Sequence, residues 1–361
     1  MTGLPRTWPM RARPPVARAR CWASKGSESV LRDARDPAAI EAAVQALQAG
    51  ELVAFPTETV YGLGADAGNG DAVAGIFRAK GRPADHPLIV HVADAAAAGV
   101  FASSIPDFAR RLIDAFWPGP LTLILPRRAG IADVAAGGQD TIGLRCPAHP
   151  AAQALLRACA AAQPPVHGIA GPSANKFGRV SPTTAAHVQS EFGPGLLVLD
   201  GGACQVGIES TIVDCTRGRP VLLRPGMLDI ARIEAAAGQP LARPEDVGRA
   251  APRASGTLEA HYAPRARVRL MDAAALQAAL DVLGAEARHI AVWSRAILRA
   301  PAAGVLRRRL PDDAGEAARL LFAVLREFDD QGVQLIWVET PPADAAWDGV
   351  RDRLQRAAAA G

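Results

Sequence analysis

The chain holds 361 residues, 49% of them hydrophobic and 5% aromatic, more than one ordinary core accommodates, so two domains are expected. No stretch approaches the roughly 20 apolar residues of a membrane span, and membrane, fibrous and disordered classes are excluded. The formal charge of +4 is uneven: residues 1–27 carry Arg6, Arg11, Arg13, Arg18, Arg20 and Lys25 with no acid, a charge of +6 that leaves −2 for the remainder. The pI near 9.0 therefore belongs to a tail.

Residues 1–28 are rich in Pro and Arg and lack any helical or strand period. They also lack the apolar run of about 7–15 residues that makes a secretory signal. They read either as a disordered arm or as a start-site artefact, Met10 offering a start further in. Cys21, Cys146, Cys159, Cys204 and Cys215 form no Cys-x-x-Cys pair, so reduced thiols in a cytoplasmic protein are the expectation. The histidines are scattered without metal-ligand spacing, and no protein-held metal is expected.

From about residue 29 helical and strand patterns alternate. DPAAIEAAVQALQAGE reads as a helix, ELVAFPTE as a buried strand, the following glycines as a turn, DAVAGIFRAKG as a helix and PLIVHVAD as a strand. PDFARRLIDAF is helical, LTLILPRR and TIGLRCP are strands, and PAAQALLRACAAA is a helix. VHGIAGPSAN, LLVLDGG, STIVDCT and VLLRPG complete the strand set. Several strands are too close for crossover helices, so a twisted, mixed sheet covered by helices is expected. Residues 29–232 are assigned to this first domain. Residues 233–264, rich in Ala, Pro, Gly and Arg, read as a linker. Residues 265–361 repeat strand–helix–strand–helix and read as a smaller Rossmann-like α/β domain.

Several segments carry chemistry. Gly62-Leu63-Gly64-Ala65-Asp66-Ala67 matches a dinucleotide pattern, but PTETVY separates it from the preceding strand, which argues against that fingerprint. No P-loop occurs. FPTETVYGLG sets two hydroxyls, an acid and a phenol after a buried strand, where α/β proteins bind ligands; a self-satisfied polar loop is the alternative. The chain has 37 arginines and three lysines, so a lysine at 80 marks a place for a compact cation. Lys80 and Arg82 converge on one polyanion in this reading, or merely cap a helix C-terminus. GIAGPSANKFGRVSPT offers small residues and short polar side chains suited to a phosphate. GIESTIVD and LLRPG each place a polar residue at a strand boundary.

FPTETVYGLG, KGRP…HPLIVHV, FWPGPLTLIL, TIGLRCP, GPSAN…SPT, GIESTIVD, LLRPG and HYAP occur in order and at compatible spacing. Together they resemble the YrdC-like family in its two-domain form. That resemblance implies a YrdC-like twisted mixed sheet and a cytoplasmic enzyme. Its reaction would convert L-threonine, bicarbonate or CO2, and ATP into threonylcarbamoyl-AMP and pyrophosphate. Other proteins would then transfer the product to an adenosine of tRNA, with tRNA contact a further expectation. By resemblance, Lys80, Arg82, Ser173 and Asn175 surround the phosphates and carbamate, with Lys80 at a solvent-accessible site. Thr59, His91, Arg145, Ser173 and Ser210 hold threonine, with Arg145 on its carboxylate. Arg82, His86, Thr141, Asn175, Thr183, Arg224 and Tyr262 face ATP, which would bring Mg2+ without a dedicated protein site. Tyr262 would let the linker close as a lid. His86 stands where the family often has Asn, and the linker reads ASGTLEAHYAP where many relatives have a Pro-Gly-Met form. The rival expectations are a double-stranded-RNA-binding module without catalysis, which the charge of −2 disfavours, and a carbamoyl-transfer or hydrogenase-maturation role, whose accompanying segments are missing.

Overall fold

The computed structural model describes residues 30–247, 252–258, 260–299 and 304–360; the Arg-rich tail to residue 28 lies outside them. Among the described residues, a ten-stranded sheet is built from β1 (Leu31–Asp33), β2 (Val53–Phe55), β3 (Gly62–Asp66), β4 (Ile89–His91), β5 (Leu121–Pro126), β6 (Thr141–Arg145), β7 (Ile169–Ala170), β8 (Leu197–Asp200), β9 (Thr211–Asp214) and β10 (Val221–Arg224). The spatial order is β1-β8-β2-β3-β7-β4-β6-β5-β9-β10. Parallel pairs (β4 with β6, β5 with β9) alternate with antiparallel ones (β2 with β3, β5 with β6), giving the mixed sheet the chain spacing demanded.

The helices follow local rules. In α1 (Pro37–Gln48) the Asp36 carboxylate accepts from the Ala38 amide and Pro37 opens the first turn, where its missing N–H costs nothing. Ile40, Ala43, Val44 and Leu47 bury one face. In α2 (Gly70–Lys80) Asn69 caps the start, and Gly81, at φ 66°, ends it in the left-handed conformation, turning the chain between Lys80 and Arg82. The remaining helices of this unit are α3 (Ala98–Phe101), α4 (Asp107–Phe116), α5 (Pro150–Ala161), α6 (Ala185–Phe192) and α7 (Ile230–Ala237).

The second sheet, β11 (Arg267–Met271), β12 (Ile290–Ser294), β13 (Leu306–Arg309) and β14 (Leu335–Glu339), is wholly parallel in the order β11-β14-β12-β13. Helices α8 (Ala273–Leu283), α9 (Ala314–Asp330) and α10 (Asp348–Ala358) connect or follow these strands. The two units share a core: Val60, Val180 and Ile208 of the first pack with Phe322, Leu321 and Val350 of the second.

Three local expectations change. The glycines after β2 form strand β3 rather than a turn, because a Cβ at Gly64 would lie 2.8 Å from Ile169 and 2.9 Å from Phe55. Glycine serves close approach there, not a bend. The segment read as linker from 233 begins inside α7, whose Ile233 and Ala237 are buried against the first core, and Ala242 still bridges to Val221. Strand β13 reads LRRR and was invisible to hydrophobic patterning.

At the seam Gly207 has φ 83°, and a Cβ there would meet Arg319 Cα at 2.4 Å and the Ala318 carbonyl at 2.6 Å. Gly207→Ala should therefore lower stability by about 1–3 kcal/mol, read from the urea midpoint; an unchanged midpoint would mean that the backbones do not meet this closely.

Candidate active site

The carboxyl ends of β4 and β6, the turn after β2, the loop after β7 and the start of β9 converge on one cleft. Thr59, Arg82, His91, Arg145, Ser173, Ser210, Arg224 and Tyr262 line it, eight of the thirteen residues expected to bind substrates. The linker covers the opening: Ser255 and Gly256 also line the cleft, Ser255 Oγ donates to the Pro87 carbonyl at 2.8 Å, and the Arg253 guanidinium meets Asp85 at 2.6 Å.

Positive charge dominates the walls, and each cation is anchored. Arg145, 4% exposed, pairs with Glu58 at 2.6 Å and donates to Thr59 Oγ1 at 2.8 Å and the Gly119 carbonyl at 3.2 Å. Its charge is thus already matched by an internal acid that the sequence reading gave no partner. Arg224 donates to the Ser210 carbonyl at 3.0 Å, to Ser210 Oγ at 3.2 Å and to the Ser255 carbonyl at 2.8 Å. Thr122 shares a 2.7 Å hydrogen bond with Ser210 Oγ. Arg82 donates to the Pro87 carbonyl at 2.9 Å; burial lowers its pKa to about 10.

Lys80 departs from expectation. The sequence reading makes it solvent-accessible, yet it is 3% exposed. Its Nζ donates to the Ser173 carbonyl at 2.6 Å and to the Asn175 carbonyl. Burial and the nearby Arg82 charge push its pKa well below the usual lysine value. A lysine at the last position of α2 reaches inward because it falls on the helix's buried stripe, three residues after Phe77 and four after Ile76. Asn175 lies beside it, its amide nitrogen donating to the Lys176 and Arg179 carbonyls at 2.8 and 2.9 Å. His86 stands at the rim, edge-on to Phe177 at 5.6 Å.

Thr141 and Thr183 are not brought to the cleft. Thr141 opens β6, whereas Arg145 closes it, about 13 Å along an extended strand. Thr183 is buried, with its hydroxyl 3.4 Å from His187 Nδ1.

Buried polar atoms without partners mark where a ligand belongs. His91 Nδ1, His261 Nδ1, the Tyr262 hydroxyl and Asn175 Oδ1 are all buried and unsatisfied. Tyr262 also sits at φ 62°, a conformation that strains a non-glycine residue and concentrates at functional sites. Sequence reading missed His261, although HYAP contains it, and Glu209. The latter's pKa stays lowered because the Arg353 and Arg224 charges outweigh burial, which alone would raise it. Glu209 accepts from Ser181 Oγ and pairs with Arg353 at 3.0 Å. Among the described residues no group of three or more His, Cys, Asp or Glu is placed to hold a metal ion.

Burial pushes the pKa of His91 and of His261 to about 3, so both are neutral in the fold. Below the ordinary value of 6.5 the unfolded chain binds protons there that the folded chain does not. Stability should therefore decline from pH 6.5 towards about 3, by about 1.4 kcal/mol per pH unit for each histidine once well below 6.5. Urea midpoints across that window test it; a flat profile contradicts it.

Comparison with known proteins agrees with the geometry. Residues 45–226 match the Sua5–YciO–YrdC family model, described as telomere recombination, and residues 228–359 match a threonylcarbamoyl-AMP synthase C-terminal domain. The threonylcarbamoyl-AMP synthase of Pyrococcus abyssi is 39% identical over 320 residues, covering 86% of this chain and 91% of the relative. That of Bacillus subtilis is 37% identical over 335 residues, 90% of this chain and 93% of the relative. The crystal structure of P. abyssi Sua5 complexed with L-threonine superposes with a TM-score of 0.80 at 38% identity, over 89% of this chain and 94% of that one. The chain belongs to the Sua5–YciO–YrdC family.

Proposed function

From that membership we propose that this chain synthesises L-threonylcarbamoyladenylate from L-threonine, bicarbonate or CO2, and ATP. The observation that carries the reading is the cleft itself. Cationic side chains and unsatisfied buried polar atoms converge under a linker, in a family whose relatives bear the name threonylcarbamoyl-AMP synthase. Those names favour catalysis over an RNA-binding module without it.

The chemistry needs charge and orientation. Threonine's amine forms a C–N bond to CO2 and releases a proton, giving a carbamate. A carbamate oxygen then bonds to the α-phosphorus of ATP while the α–β bridging bond breaks and pyrophosphate leaves with its electron pair. This is a nucleotidyl transfer between two anions. Fixed donors aimed at developing charge lower such a barrier most, and neither a covalent nucleophile nor a metal-bound hydroxide is required.

We assign Arg82, Lys80, Ser173 and Asn175 to the phosphates and carbamate, with Lys80 exchanging a carbonyl for a phosphate oxygen. Thr59, His91 and Ser210 hold threonine, and Arg145 reaches its carboxylate with the orientation that Glu58 sets. Arg224 and Tyr262 face the nucleotide, and His86 meets it at the rim. Thr141 and Thr183 would join only after a rearrangement of the cleft. Mg2+ would arrive on the triphosphate as part of the substrate. The closed linker keeps water from the labile mixed anhydride. The product would pass, in the cytoplasm, to proteins that transfer the threonylcarbamoyl group to tRNA. Among the described residues no helix is long and apolar enough to cross a membrane.

Purified protein should release pyrophosphate from ATP only when L-threonine and bicarbonate are both present, with threonylcarbamoyl-AMP detected by mass spectrometry. Threonine-independent release would sink the reading. Lys80→Ala should cut that release by about 10²-fold or more and also lower the melting temperature, since two buried carbonyls lose their donor. A variant of full activity would remove Lys80 from the chemistry.

A further inference from the structure

Arg353 lies on α10 of the second unit, outside the cleft, with its side chain fully buried at 0% exposure. Its guanidinium is committed in four directions. Nε donates to the Glu209 carboxylate at 3.0 Å and Nη2 to the Glu209 carbonyl at 3.1 Å. Nη1 donates to the Pro225 carbonyl at 2.6 Å and to Asp352 at 3.0 Å. Its Cζ stands 5.5 Å from the Tyr262 ring centroid. Glu209 directly precedes Ser210, and Pro225 directly follows Arg224. One side chain from the second sheet thus grips the residues flanking two cleft-lining groups and supports the ring of a third.

The approach is built in: α10 carries Gly349, where a Cβ would lie 2.6 Å from the Gly226 carbonyl and 2.8 Å from Ile208. The clamp reaches further, because Glu209 also accepts from Ser181 Oγ, tying the loop after β7 to the same point. Mere adhesion between the units does not require this arrangement. A buried ion pair is a weak source of stability compared with apolar packing, and an apolar seam already exists between Val60, Val180 and Ile208 and the second core. What the planar, five-donor guanidinium adds is direction.

We propose that Arg353 is a positioning residue for the threonylcarbamoylation reaction: it fixes Ser210, Arg224 and Tyr262 in their substrate-binding orientation. The second unit is then part of the substrate site's rigidity. This rests on the functional reading above.

The test uses the full chain and measures the KM of threonine and of ATP, and kcat, by pyrophosphate release, together with melting temperature. Arg353→Met should raise the KM of threonine, through Ser210, and of ATP, through Arg224 and Tyr262, by about tenfold or more while kcat falls by less than about threefold, the split expected for lost substrate binding. Arg353→Lys keeps a charge for Glu209 but not the fork to both carbonyls, and should fall between Met and wild type. Leu354→Ala is the structural control: Leu354 is adjacent on α10 and 0% exposed within the second core, so it should lower the melting temperature by several degrees and leave KM within about twofold. An Arg353→Met KM within twofold of wild type, or an equal rise in Leu354→Ala, overturns the proposal. Should Arg353→Met fail to fold, Arg353→Lys against Leu354→Ala decides it by the same criterion. Wild-type protein without threonine-dependent release sinks the functional reading instead, whereas an active wild type with an unmoved KM in the variants sinks this inference alone.

Discussion

Burying several like charges in one cleft is the constraint on which the rest of this structure depends. Arg82, Arg145, Arg224 and Lys80 are each 9% exposed or less, and isolated cations would not tolerate such desolvation. Two solutions are used side by side. Arg145 is matched by the carboxylate of Glu58, and Arg224 lies near Glu209, whose own partner is Arg353. Lys80 and Arg82 are instead held mainly by main-chain carbonyls. Carbonyl oxygens stabilise a cation without cancelling its charge, so the side of the cleft facing Lys80 and Arg82 keeps an unneutralised field for an anion. The Arg145 side is nearer to balance, as would suit the threonine we propose there, which carries both signs.

The second constraint is proximity. Glycine at 64 admits the Ile169 and Phe55 side chains, and glycine at 207 and 349 admits a neighbouring backbone, where any Cβ would collide; each of these contacts fixes a different wall of the site: the sheet under His91, the seam beside Ile208, and the helix that carries Arg353. The fold reaches the chemistry through these missing side chains as much as through the charged ones.

Much of this was legible in the chain. The mixed sheet, the parallel second sheet and most helices followed from periodicity and capping, and eight expected residues share the cleft. What was not legible has physical reasons. Strand β3 looked like a turn because its glycines serve close packing, which no local rule distinguishes from flexibility. Helix α7 hid in an alanine-rich stretch whose burial depends on α4. Lys80 reads as solvent-accessible because a cation at a helix end ordinarily faces water, and its place on the buried stripe with Val73, Ile76 and Phe77 gains weight only beside carbonyls that can hold the charge. Glu58 and Glu209 were in view, but an acid whose role is to balance a distant arginine gains meaning only in three dimensions, and Arg353 lies 91 residues or more from everything it orients.

Gly256 sits at φ 73° with the Tyr262 hydroxyl 2.3 Å and Arg224 Nη1 2.7 Å from where a Cβ would stand. The cover over the cleft is therefore made at that point of bare main chain. A peptide plane resting directly on a phenol and a guanidinium forms a gasket with no side chain to compress. That fit leaves no room for a side chain, so one added methyl group would act as a wedge and lift the linker from the phenol and guanidinium it covers.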